Sequence, residues 1–223
     1  MYGIPGRNRG VIGSCAVRLF ERNAAATGLN ERAARAANIP CDSVYTMSMD
    51  KVGLMPGSAP MHFKLVFEVP TGRILGAQAI GKGNVDKRID VLATAMQAGL
   101  PVTALKDLDL AYAPPYASAK DPVNLVGFMA ENLEQGVVKQ FHWEDVAGLP
   151  RDRSVTLVDA RTPGEYSGGC AEGFVNVPVD GLRDRLGEIA PGKPVYVMCQ
   201  SGLRSYLACR ILAQNGYDCY NFS

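Results

Sequence analysis

The pattern of apolar and polar positions changes period along the chain, and each change marks an element. From Gly13 to Arg22 the two kinds alternate, with Cys15, Val17 and Leu19 on one side, which predicts a strand. Thr27-Gly-Leu-Asn-Glu31 predicts a turn into a short Ala/Arg helix that ends before Pro40, and residues 43–49 predict a second strand. The clearest alternation covers 61–69. Met61, Phe63, Leu65, Phe67 and Val69 face one way; His62, Lys64 and Glu68 face the other. Pro70-Thr-Gly72 then turns the chain back into residues 73–80, completing a hairpin. The period next becomes helical. From Asn84, an apolar stripe of Val85, Ile89, Leu92, Ala93 and Met96 runs to a stop at Gly99 and Pro101. Asp121-Pro122 opens another helix, with Leu125, Val126, Met129 and Leu133 as its stripe. Hairpin strands followed by segregated helices predict an α+β domain with an antiparallel sheet over residues 1–136.

Residues 134–141 read as a linker. Beyond it, strands at 155–159, 175–177, 195–198 and 218–222 alternate with helices at 163–166, 181–189 and 203–214. Leu182, Leu186 and Ile189 point inward on one helix; Leu203, Leu207, Ala208, Ile211 and Leu212 form the stripe of another. This alternation predicts an α/β domain with a small parallel sheet over residues 141–223. Functional groups in such sheets gather at the carboxyl ends of the strands, where Asp159 and Cys199 both lie.

Composition narrows the classes. The length of 223 residues suits one large domain or two small ones, and 47% hydrophobic with 20% charged residues is that of a soluble globular chain. A net charge of +1 gives no footprint for nucleic acid or an anionic membrane. No apolar run approaches a membrane span, and the opening Met-Tyr-Gly-Ile-Pro-Gly-Arg has no signal-peptide core. The six cysteines contain no CxxC pair and are joined by two histidines, so no metal site is expected. Reduced thiols in a cytoplasmic protein are the expectation.

The candidate chemistry sits in Val195-Tyr-Val-Met-Cys199-Gln-Ser-Gly-Leu-Arg204. Cys199 ends a strand, Gly202 permits a tight bend, and a helix follows that Asn215-Gly216 closes. A cysteine facing a helix N-terminus meets unpaired N–H groups and the positive end of the dipole, which favour the thiolate. The amides of Gln200, Ser201, Gly202 and Leu203 would then hold an anion attached to the sulfur. The alternative is a well-packed, inert cysteine. Arg204 either supplies a fixed positive charge to substrate or braces the loop through a salt bridge. Asp159 and Arg161 read as a structural, supporting pair. Gly76-Ala-Gln-Ala-Ile-Gly81-Lys82-Gly83 nearly spells a phosphate-binding loop, but Gly83 replaces the Ser/Thr that magnesium needs. Leu110-Ala-Tyr112-Ala-Pro-Pro-Tyr116 is a stiff segment that presents tyrosine hydroxyls, as a connector or as the rim of an interface.

Two resemblances rest on these stretches. Ala26-Thr-Gly-Leu-Asn-Glu31, Gly76-Ala-Gln-Ala-Ile-Gly81, Val85-Asp-Lys-Arg-Ile-Asp90 and Tyr112-Ala-Pro-Pro-Tyr with Lys120-Asp-Pro-Val-Asn resemble the dimerisation domain of flavin-dependent pyridine nucleotide–disulfide oxidoreductases. The nearest branch is the coenzyme A-disulfide reductases and NADH-dependent persulfide/polysulfide reductases. That resemblance implies a homodimer through residues 1–136, with Tyr112 or Tyr116 reaching the partner's redox cysteine. A second family tyrosine is replaced in Leu54-Met55-Pro56-Gly57. No Gly-x-Gly-x-x-Gly follows a strand, so FAD, NAD(P)H and coenzyme A are implied for the whole family enzyme and none is expected on this chain. The chain reads as the C-terminal part of such an enzyme.

Leu157-Val-Asp159-Ala-Arg161-Thr-Pro-Gly-Glu-Tyr, Gly169-Cys-Ala-Glu-Gly173 and Cys199-Gln-Ser-Gly-Leu-Arg204 resemble a rhodanese domain. Cys170-Ala171 stands where that family has His-Ile, and the family's closing Gly-Gly and final helix lie past Ser223. The resemblance implies a sulfurtransferase that carries sulfur as a Cys199 persulfide. Thiosulfate, persulfide, polysulfide or coenzyme A persulfide would be the donor; the uncharged Gln200 and Leu203 favour donors other than thiosulfate. Cys170 is a candidate second redox cysteine if it lines the same pocket. Two other readings are a non-catalytic dimerisation or binding module, and a cysteine phosphatase. The four residues between Cys199 and Arg204 leave a loop one residue short for a phosphate.

Overall fold

The stretch predicted as one strand at 13–22 folds back on itself. In the computed structural model, which describes residues 10–223, β1 (Cys15–Leu19) and β2 (Arg22–Gly28) pair antiparallel. Phe20 takes the left-handed conformation between them. Every residue of β1 is exposed, so Cys15, Val17 and Leu19 are not core. A short helix, α1 (Glu31–Ala36), is capped by the Asn30 side chain, which accepts from the Ala33 N–H at 2.8 Å. β3 (Cys41–Met49), β4 (Pro60–Glu68) and β5 (Ile74–Gly81) complete a five-stranded antiparallel sheet in the order β1-β2-β5-β4-β3.

The alternation of β4 holds through Phe67, with Val66 buried as well in a cluster with Ala34 and Leu75. A register shift against β5 lies between Val66 and Phe67, and Val69, expected inward, ends exposed. Helix α2 (Val85–Gln97) packs on β2 and β5. Its inward face includes Arg88 among Val85, Ile89, Leu92 and Ala95, while Ala93 and Met96 are half-buried. In α3 (Pro122–Glu134) the fully buried apolar positions are Val123, Val126 and Ala130; Leu125 and Met129 are half-buried.

Arg88 explains how the segment 110–121 is fastened. Arg88 and Asp121 are 1% and 4% exposed and lie 2.9 Å apart. Arg88 also donates to the carbonyls of Asn84 at 3.0 Å and Asp50 at 2.8 Å. Asp121 accepts from the Val123 N–H at 3.1 Å, capping α3. Asn124 donates to the carbonyls of Leu105 and Leu108, each at 3.0 Å.

The chain divides into two units between Phe128 and Met129. In the second, the expected linker contains β6 (Lys139–Phe141). β7 (Thr156–Asp159), α4 (Pro163–Ser167), β8 (Val175–Asn176), β9 (Val195–Met198), α5 (Leu203–Gln214) and β10 (Cys219–Phe222) follow. All five strands are parallel, in the order β6-β10-β9-β7-β8. The helix expected at 181–189 is a run of 3₁₀ turns over Val179–Glu188, with Leu182 buried. One side of the sheet is covered by Leu182, Ile189, Ala208, Cys209, Ile211 and Leu212. On the other, Phe141, Leu149, Leu157 and Phe174 are buried. Of the expected α5 stripe, Ala208, Ile211 and Leu212 point inward, while Leu203 and Leu207 are exposed and Ser205 and Cys209 are buried in their stead.

Because Asp121 is buried, removing its cation strands a carboxylate in a dry site. Arg88→Met is expected to destabilise the first unit by about 3–5 kcal/mol, measured as a lower denaturant midpoint by far-UV circular dichroism.

Candidate active site

Cys199 follows the last residue of β9 and precedes α5 by three residues. Gly202 caps that helix at φ 84, and a Cβ there would stand 3.3 Å from the Phe222 carbonyl oxygen. Both the left-handed conformation and the close approach of β10 call for glycine. The first backbone bond of α5 runs from the Tyr206 N–H to the Gly202 carbonyl at 3.0 Å. The amides of Leu203, Arg204 and Ser205 have no backbone acceptor among the described residues. Cys199 itself is 2% exposed. Gln200 and Leu203 are exposed above it, and Ser201 and Gly202 are half-buried.

Ser205 was not singled out by sequence, yet it is the side chain that meets the thiol. Its Oγ lies 3.3 Å from Cys199 Sγ and donates to the Gly202 carbonyl at 3.1 Å. With its hydrogen on that carbonyl, Ser205 accepts from a Cys199 thiol; rotated, the hydroxyl donates to a thiolate or to a sulfur anion built on it. A serine one turn into a helix is ordinary in sequence, and its zero exposure is the signal that only the fold supplies.

The loop's one cation is paired. Arg204 Nη1 and Nη2 donate to the two carboxylate oxygens of Glu165 at 2.6 Å and 2.7 Å. Glu165 also closes a capping box on α4, accepting from the Thr162 N–H at 3.0 Å and the Thr162 hydroxyl at 2.8 Å. The Arg204 guanidinium first, and the Thr162 donors next, hold the Glu165 carboxyl well below the usual carboxylate range. Glu165 in turn raises the Arg204 pKa. Thr162-Pro-Gly-Glu165 is legible as a capping box, but its tie to Arg204 spans 39 positions.

Asp159 is fully buried and takes a forked pair of bonds from Arg161, Nε at 3.0 Å and Nη2 at 2.7 Å. Arg161 Nη2 also donates to the Gly169 carbonyl at 2.7 Å. Asn176 donates to the carbonyls of Asp159 at 3.1 Å and Arg161 at 2.8 Å. Together these bonds order the turn from β7 into α4, which presents Glu165. Cys170 is exposed beside Tyr166, whose pKa it raises through a side-chain hydrogen bond. Cys209 and Cys219 are buried, and their mutual hydrogen bond, with burial, pushes the Cys209 thiol up.

In the first unit Tyr112 and Tyr116 are exposed on a segment without regular structure, turned by the Tyr116 N–H bonding to the Ala113 carbonyl at 2.9 Å. The one glycine-rich strand-to-helix turn, 81–84, faces the Asp50 carboxylate, 2.9 Å from where a Gly83 Cβ would stand. An anion there repels phosphate. No group of three or more His, Cys, Asp or Glu among the described residues is placed to hold a metal ion. No helix among them is long and apolar enough to cross a membrane.

Residues 15–122 match the dimerisation domain of the pyridine nucleotide-disulphide oxidoreductases, and residues 142–223 match the rhodanese-like domain. The chain is an oxidoreductase dimerisation domain joined to a rhodanese-like domain. It is similar to the coenzyme A disulfide reductase of Staphylococcus epidermidis, 35% identical over 123 residues, which cover 55% of this chain and 28% of that protein. Among solved structures, reduced Bacillus anthracis CoADR-RHD is 41% identical with a TM-score of 0.92, over 96% of this chain and 38% of that one. The NAD-dependent persulfide reductase from A. fulgidus is 35% identical with a TM-score of 0.85, over 99% of this chain and 40% of that one. The chain therefore spans well under half the length of each of these proteins.

The fork of Glu165 on Arg204 carries a pH dependence. An unfolded chain takes up a proton on Glu165 near its ordinary pKa of 4.5, while the folded chain resists it. This contribution to stability is full above that pH and is lost as pH falls towards the depressed folded value. Glu165→Gln is expected to flatten the acid limb of unfolding free energy against pH below about 4.5, measured by urea titration.

Proposed function

We propose that the rhodanese-like domain is a sulfurtransferase that carries sulfane sulfur as a persulfide on Cys199. The observation that carries this reading is a cysteine beneath the unsatisfied amides of α5, with Ser205 at its sulfur. The Cys199 thiolate attacks the outer sulfur of the donor, the donor's S–S bond breaks, and the donor leaves as a thiol or thiolate. The sulfur stays as Cys199–S–S⁻. The loop amides and the Ser205 hydroxyl stabilise that anion without an acid or base. The near-complete burial of Cys199 favours a slim donor, one whose leading atom is a bare sulfur. Persulfide, polysulfide and coenzyme A persulfide have that shape, and Gln200 and Leu203 add no charge for a dianion.

The two domains work, on this reading, within a cytoplasmic FAD- and NAD(P)H-dependent reductase of coenzyme A disulfide, persulfide or polysulfide. The similarity to proteins named for those activities supports it. Residues 1–136 form a homodimer, and the exposed Tyr112 and Tyr116 serve the partner's site. The exposed apolar edge of Val17, Leu19 and Phe20 supports a surface that finds a partner. Asp159 and Arg161 position the turn that carries Glu165.

Mass spectrometry after incubation with polysulfide is expected to show one added sulfur atom on the peptide containing Cys199, absent in Cys199→Ser. An unmodified Cys199, alkylated no faster than a free model thiol, would sink the sulfur-carrier reading. Sedimentation equilibrium is expected to return a dimer; a monomer at micromolar concentration would remove the homodimer.

A further inference from the structure

Arg204 is the one cation between Val195 and Cys209, and the structure commits it elsewhere. Its fork on Glu165 is bidentate at 2.6 Å and 2.7 Å, and both side chains are 31% exposed. The Thr162 N–H and hydroxyl both donate to Glu165 Oε2, the oxygen that also accepts from Arg204 Nη1. Arg161, the other arginine in the field of Arg204, is forked on Asp159. Four charged side chains at the carboxyl ends of β7 and β9 therefore sum to zero. A Cys199 thiolate would lie within the field of Arg204, but each positive charge there is offset by a carboxylate within hydrogen-bond distance. A donor approaching Cys199 meets helix amides and a neutral rim.

That neutrality discriminates among donors by charge. Thiosulfate brings two negative charges; an alkyl persulfide brings at most one. Both load the same atom. With thiosulfate, Cys199–S⁻ and S–SO₃²⁻ give Cys199–S–S⁻ and SO₃²⁻. With an alkyl persulfide, Cys199–S⁻ and R–S–SH give Cys199–S–S⁻ and R–SH. In each case one S–S bond breaks and one forms, and no external oxidant or reductant enters. We propose that Glu165 determines donor selectivity: by neutralising Arg204 it biases the loop against dianionic thiosulfate and towards persulfides with one charge or none. This inference rests on the sulfur-carrier reading.

Glu165→Gln tests it. The glutamine oxygen still accepts from Thr162, and the negative charge is gone, so Arg204 faces the loop uncompensated. The ratio of thiosulfate to alkyl-persulfide loading rates on Cys199, followed by mass spectrometry in the full chain, is expected to rise roughly fivefold for one freed charge at a partly exposed site. The rise is expected to shrink at high salt, which screening demands and a packing defect does not. A general loss of loop order slows both donors and divides out of the ratio. If Glu165→Gln fails to fold, Arg204→Lys keeps the charge and loses the fork, and the same ratio is expected to rise. An unchanged or lower ratio, in a protein that still loads from both donors, overturns the role of Glu165 and leaves the sulfur-carrier reading standing. Failure of both donors to load the unaltered chain removes the sulfur-carrier reading and, with it, this one.

Discussion

An α-helix begins with N–H groups that its own backbone cannot satisfy. In α5 those groups face the end of β9, where the chain has placed a cysteine and then turned through a left-handed glycine. A geometric debt of this kind favours an anion at the start of a helix. The bend itself is held to glycine, because a Cβ at Gly202 would stand 3.3 Å from the Phe222 carbonyl of β10. Ser205 adds a hydroxyl whose hydrogen has two acceptors within reach, the Gly202 carbonyl and the sulfur.

Two ion pairs show how burial changes what a charge is for. Arg88 and Asp121 are sealed in the first domain, and each also satisfies backbone groups. Such a pair gives a unique geometry more than net stability, here the anchoring of the tyrosine-bearing segment to α2 and α3. Arg204 and Glu165 are partly in water. Their pairing adds little to stability and matters because of where it leaves the local charge.

Much of this was legible from periodicity. β9 and α5 begin and end where the pattern puts them, because a short apolar run beside a turn and a helix closed by Asn-Gly are local signals. The antiparallel-then-parallel order of the two sheets was legible for the same reason. What stayed hidden depends on partners distant in sequence. Arg88 lies on the apolar face of α2, and its partner Asp121 is 33 positions away. In α5 the expected Ala208, Ile211 and Leu212 face inward, but Ser205 and Cys209 are buried where the stronger hydrophobes Leu203 and Leu207 were expected. β1 was legible in the alternation at 13–22, but β2 escaped because Arg22–Gly28 is Ala-rich and leaves no alternation to read. The 3₁₀ run at 179–188 satisfies the same inward leucine as a helix would, so composition could not separate the two.

The strand order has a kinetic meaning. β9 is the third of five strands, flanked by β10 and β7, so its backbone is shared on both edges. Segments of that kind open last, and only when the whole domain does. Cys199 follows directly on this central strand and so shares its late opening, while Gln200 beside it is exposed.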